Sequence, residues 1–178
     1  MGIPVKLSVE LVPSTSHGAN LRSVITSQEW KQVSAWCAHE ANHVCQVCGG
    51  KSKGRNLDCH EKWHYDEETG TQTLIGLVGL CVSCHLVKHF GYAQVSGKEE
   101  FALFHLCKIN KWNTYQARDY LEHCFKRFQR RSKIKWKLDC TFMEDVPVSI
   151  SQESCKKLGI EYVQRPAYQV KAKKVGKF

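Results

Sequence analysis

The chain has no long apolar run. Its longest, Leu74–Val82, is interrupted by glycines and is far too short for the roughly 20 residues a bilayer span needs. A membrane-spanning protein is therefore not expected. The start, Met1-Gly2-Ile3-Pro4-Val5-Lys6, has no charged opening followed by an apolar stretch, so it does not read as a secretory signal. Gly2 does not read as a lipidation site either, because Lys6 stands where that motif needs Ser or Thr. No internal repeat or long low-complexity segment is visible. Acidic residues are missing from Lys126–Lys137, which holds seven Lys or Arg.

Cysteine and positive charge, by contrast, are plentiful. The 178 residues include 10 cysteines and carry a net charge of +9, with 42% apolar residues, enough for a packed core. Two Cys-x-x-Cys pairs without a secretory signal point to metal in a reducing, cytoplasmic compartment rather than to disulfides. Residues 1–44 hold three basic and three acidic side chains, and residues 45–125 hold nine of each. The excess thus lies in residues 126–178, with fourteen basic and five acidic, four of the lysines in the last eight residues. Such one-sided clustering outlines a polyanion binder, with Lys126, Arg127, Arg130, Arg131, Lys133, Lys135 and Lys137 as the phosphate-contacting candidates. Phe125, Phe128 and Trp136 are interleaved and could stack on bases or belong to the core.

Patterning divides the chain into four parts. Residues 1–42 hold an extended stretch, Val5–Val12, a polar loop, and a helix over Gln28–His43 capped by Ser27. Residues 43–91 form a cysteine- and histidine-rich block. Residues 92–138 hold two helices, Glu99–Asn110 and about Tyr115–Arg131. The first is apolar at Phe101, Leu103, Phe104, Leu106 and Cys107. The second is capped by Asn113 or Thr114, with a stripe of Ala117, Tyr120, Leu121, Cys124 and Phe128. Residues 139–178 read as an irregular basic extension that could order on a partner, with a helical turn from Ser151 to Gly159 and an extended piece, Ile160–Val163.

Within the block, Cys45-Gln-Val-Cys48-Gly49-Gly50 and Cys81-Val-Ser-Cys84 are two knuckles. Each places two thiolates on one tight turn, and together they suit one tetrahedral structural zinc. Asn56–His60 and Gln72–Leu80 read as strands joined by a turn at Asp66–Thr71. A short helix follows Cys84 and carries His85 and His89, with Gly91 as its C-terminal cap.

With Cys45, Cys48, Leu57-Asp58-Cys59-His60, Leu80-Cys81-Val-Ser-Cys84-His85 and His89 in view, this block resembles the HNH nuclease superfamily. The variant with two zinc knuckles is the one it is similar to. The resemblance implies an α+β fold: a zinc-stapled ββα-metal core flanked by helices. It implies an endonuclease in which His60 is the general base. His85, His89 and, one residue before the base, Cys59 would face the catalytic ion. The chemistry also follows from spacing: His85 and His89, four apart on a helix, share a face and could chelate one ion. A neutral imidazole beside that ion could accept a proton from water. The expected partner is nucleic acid, double-stranded DNA first, with a protein partner as a further option.

There are departures from the family pattern. Gly76 stands nearest the family's second-strand Asn, and no Asn lies between Asn56 and Asn110. Cys59 replaces a hard ligand with a soft one. Either the second ion is zinc-like rather than magnesium, or Asp58, Glu61 or His64 completes its shell, or catalysis is lost. Glu61 and His64 join His60 as catalytic candidates. The alternative is a non-catalytic, zinc-stabilised module that binds nucleic acid or protein.

Overall fold

The computed structural model describes residues 5–51 and 56–168. Within them the chain is mixed α and β, with seven α-helices and one three-stranded sheet. Helices α1 (Leu21–Val24) and α2 (Ser27–Glu40) precede a hairpin of β1 (Asp58–Asp66) and β2 (Thr71–Leu80). Then come α3 (Val82–Lys88), α4 (Phe90–Val95), α5 (Glu99–Asn110), α6 (Thr114–Arg131), β3 (Lys137–Asp139) and α7 (Gln152–Leu158). No helix among the described residues is long and apolar enough to cross a membrane. The four lysines of the last eight residues lie outside the described residues.

The hairpin is the centre of the molecule. β1 pairs antiparallel with β2 from Asp58↔Leu80 to Asp66↔Thr71, with a bulge after Lys62. β3 adds in parallel on the other side of β2, so β1 is an edge strand. Side chains alternate across a strand: Val78 packs on one cluster and Leu77 on the other. The first cluster joins Leu7, Val9, Val87, Phe90, Leu106 and Leu121. The second joins Leu21, Val33, Leu74, Met143, Val146 and Val148.

Local signals account for the helix starts. Thr26 and Glu29 form a capping box at α2, and Asn113 and Gln116 form one at α6. The α2 cap is thus Thr26 rather than Ser27, and the helix stops at Glu40 before two left-handed residues, Asn42 and His43. α5 and the α7 boundaries at Ser151 and Gly159 agree with the sequence reading.

Val5–Val12 pairs with no strand; side chains hold its backbone instead: Asn110 Oδ1 accepts from Lys6 N and Leu7 N, and Tyr120 Oη accepts from Val9 N. Several expectations are corrected. β1 runs six residues past His60, since pairing with β2 extends it through a polar stretch. Gly91 caps nothing; it lies inside α4. Phe101 and Phe104 are exposed, and Ala102 takes the inward position beside Leu103 and Leu106. Residues 139–158 are not a loose extension either. Cys140, Met143, Val146, Val148, Ile150, Cys155 and Leu158 are buried against α1, α2 and β2.

Candidate metal and histidine centre

Cys45 and Cys48 sit on the turn after α2, and Cys81 and Cys84 at the start of α3. Their four sulfurs lie within 4.8 Å of one another. Cys48 Sγ and Cys81 Sγ are 3.7 Å apart, close to the ~3.8 Å edge of a tetrahedron with ~2.3 Å metal–sulfur bonds. The turn is built for this. Gly49 takes a left-handed φ of +75°, and a Cβ on Gly50 would meet Cys48 Sγ at 3.2 Å. Gly50 N donates to Cys48 Sγ at 3.3 Å. Burial raises the Cys45 thiol, but amides of Cys48, Cys81 and Val47 outweigh it and bring it down to about 7. His105, which the sequence reading did not single out, places Nε2 3.2 Å from Cys84 Sγ. This donor set fits a closed metal site.

A second cluster joins His60 of β1 to His85 of α3 and His89 at its end, with ligand atoms again within 4.8 Å. His85 Nε2 and His89 Nε2 are 3.1 Å apart. Two nitrogens on one ion at ~2.0–2.1 Å would be separated by ~2.9–3.4 Å, depending on geometry. His85 Nδ1 donates to Asp58 Oδ2 at 3.1 Å, which turns Nε2 toward His89. Burial and the neighbouring His60 and His85 push His89 down to about 4, so it is neutral at pH 7, as a ligand must be. The residues present fit an ion here as well.

His60 is 5% exposed, and its Nε2 donates to Glu10 Oε2 at 2.8 Å. Glu10 in turn accepts from the buried Lys88 Nζ at 2.5 Å, and Lys88 also donates to Ser8 Oγ at 2.7 Å. Burial raises the Glu10 carboxyl, but His60 and Lys88 overcome it and hold it at about 2. Its charge is therefore fixed, and the nitrogen of His60 left with a lone pair is Nδ1. Nothing in the sequence marked Glu10, a lone acid in an unpatterned stretch fifty residues from His60.

The other candidates line the same cleft but stand outside the histidine cluster. Cys59 faces the opposite side of β1, against the second core cluster. A hydrogen bond with Cys37, together with burial, raises its pKa and keeps the thiol protonated. Glu61 lies on that side too, accepting from Arg22 N at 2.9 Å and Trp63 Nε1 at 3.1 Å. His64 is exposed on the rim, outside the cluster.

The histidines line a cleft of about 480 Å³ between the segment Ser8–Val12, β1 and the far half of α6. Arg127 and Arg131 reach it from the basic run, and Arg22 and Lys62 join them. Arg131 pairs with Glu67 at 2.9 Å and covers the Tyr65 ring at 4.8 Å. Arg130 pairs with the same Glu67 at 2.5 Å, and Lys126 with Glu122 at 2.5 Å. Lys133, Lys135 and Lys137 are exposed beyond the helix. Trp136 packs edge-on against Tyr65 with centroids 4.9 Å apart.

No family model matches the chain, and no curated protein or solved structure does either. The two clusters and their cleft are accordingly the basis for reading function.

Proposed function

We propose that this protein is a metal-dependent endonuclease of HNH type that hydrolyses DNA phosphodiester bonds. The observation that carries the reading is the convergence of His60, His85 and His89 within 4.8 Å on a cleft lined by cations. The four cysteines hold a structural zinc, the ion that a closed tetrahedral thiolate set suits best. His85 and His89 hold a second divalent ion, which when bound supplies Lewis-acid stabilisation to a scissile phosphate.

The chain's own residues do the rest. Glu10 and Lys88 fix the tautomer of His60. Its Nδ1 takes the proton of the attacking water, a contribution of ~10²–10⁴ in rate. Asp58 orients His85. Arg127, with Arg22 and Lys62, holds the flanking phosphates, which gives affinity without sequence information.

A non-catalytic module is the second reading, favoured by Gly76 in place of the family's Asn. One assay separates the two. Plasmid incubated with the protein and a panel of divalent ions should yield nicked and then linear product, and His60→Ala should abolish it with melting and metal content intact. Cleavage that survives in His60→Ala would remove His60 as base. Intact plasmid with every ion would leave the non-catalytic module.

A further inference from the structure

We infer that the strand bound in this cleft is unpaired: the substrate class is single-stranded polynucleotide, or the opened part of a duplex. The inference rests on the nuclease reading for its catalytic arm, but its binding arm stands apart.

The first argument is access. In a duplex the bases are stacked inward and the phosphates sit on the rims of grooves about 12 and 6 Å wide. A catalytic histidine that meets such a rim must stand out from the protein. Here His60 is 5% exposed and lies between two walls, the segment Ser8–Val12 and α6 through Tyr120, Cys124 and Phe128. A flexible single strand can enter between those walls, whereas a rigid duplex brings its second strand against them.

The second argument is the lining. Arg22, Lys62 and Arg127 line the cleft together with Trp30, Trp63 and Phe128, and Arg22 lies over the Trp30 ring at 5.7 Å. Cations that track a backbone, beside aromatic faces on which bases stack, are what single strands require and paired bases cannot use.

The third argument is an unmet hydrogen bond. Gln72 is 1% exposed and lines the cleft. Its Nε2 donates to Ala19 O at 3.2 Å, while its Oε1 has no partner among the described residues. Tyr65 stands directly across the strand pair, and its buried hydroxyl is likewise unpartnered. An acceptor and a hydroxyl on paired positions of the two strands match the Watson–Crick edge of a nucleobase. Unlike the groove edges, that edge is offered only when the base is unpaired.

The test uses the full-length, metal-loaded protein with end-labelled oligonucleotides of one sequence: single-stranded DNA, single-stranded RNA, a perfect duplex, and a duplex with a central bubble. Either single strand, and the bubble within its open part, should be cut at least tenfold faster than the duplex. A duplex cut equally fast would overturn the inference and leave the nuclease reading standing. If nothing is cut, the nuclease reading falls, and anisotropy titrations of the same oligonucleotides decide the inference alone. Tighter binding of single strands with quenched tryptophan emission supports it, and equal or tighter duplex binding overturns it. Arg127→Ala, at an exposed position, should lower the log–log salt slope for single-strand binding by about 0.7. Gln72→Met should raise KM for the single strand about tenfold. An unchanged KM would overturn the base-reading role of Gln72.

Discussion

Glu10 shows how a single residue can control this centre. Its carboxylate bridges His60 and Lys88 from outside the cysteine–histidine block. Glu10→Gln keeps the shape and removes the charge. On the proposed nuclease reading, turnover should fall roughly 10–100-fold, the usual cost of losing a partner behind a functional imidazole, with bound metal unchanged. Steady-state kinetics alongside elemental analysis would check this, and a lost metal equivalent would instead make Glu10 a ligand. Gly79 is a residue-scale constraint on the fold. A Cβ there would meet Ala41 Cβ at 2.8 Å and Leu57 Cδ1 at 3.0 Å, where α2 crosses the hairpin. Gly79→Ala should cost about 1–3 kcal/mol in a denaturant melt, as overpacking does. Neither residue stood out in the sequence, because each matters only through neighbours far along the chain.

The element that best joins local signal to packing is α2. Glu29 closes its capping box by accepting from Thr26 N at 2.7 Å. The same carboxylate accepts from Ser151 N at 2.6 Å and Ser154 Oγ at 2.8 Å, tying the start of α7 to the start of α2. Burial raises its pKa, and these bonds more than reverse that, to about 2 from an ordinary 4.5. Because the folded value is the lower one, the stabilisation is present above pH 4.5 and is lost as pH falls toward 2. The shift corresponds to about 3 kcal/mol. Denaturant melts should therefore show Glu29→Gln clearly less stable than the parent at pH 7, with the gap closing by pH 2.5. A constant gap across that range would show that the ionised carboxylate is not the source. α5 and α6 were legible to within a residue because helical spacing, and for α6 the Asn113 cap, are local. β1 was only half legible, since His60–Asp66 lacks apolar alternation and is a strand through its pairing with β2.

At the scale of the whole molecule, two apolar clusters meet across the hairpin, and the four-cysteine site staples the turn after α2 to α3. A structural zinc, which the four thiolates would hold on the proposed reading, contributes about 10 kcal/mol or more to folding. A strong chelator at neutral pH, or Cys45→Ser, should therefore abolish the cooperative thermal transition. An unchanged melt would refute the structural metal. Native mass spectrometry should find two equivalents of metal in the parent protein and one in a His85→Ala, His89→Ala double variant.

The basic run illustrates the limit of composition. Its residues were visible as a charge excess, yet Arg130 and Arg131 share Glu67 and Lys126 is held by Glu122. Arg127 points into the cleft without a carboxylate partner among the described residues. The sequence by itself pointed to the cysteine and histidine pairs, because two cysteines three apart fit one knuckle turn and two histidines four apart share a face once the segment is helical. It pointed to the caps of α6 and α7, which form within four residues, but misplaced that of α2, which is Thr26 rather than Ser27. Only the tertiary structure decided that His60 reaches the helix histidines while Cys59 turns away. It alone supplied Glu10 and Gln72 to the cleft and left Arg127 without a carboxylate partner among the described residues. Those outcomes depend on strand phase and on contacts between distant segments, and spacing along the chain carries no record of either.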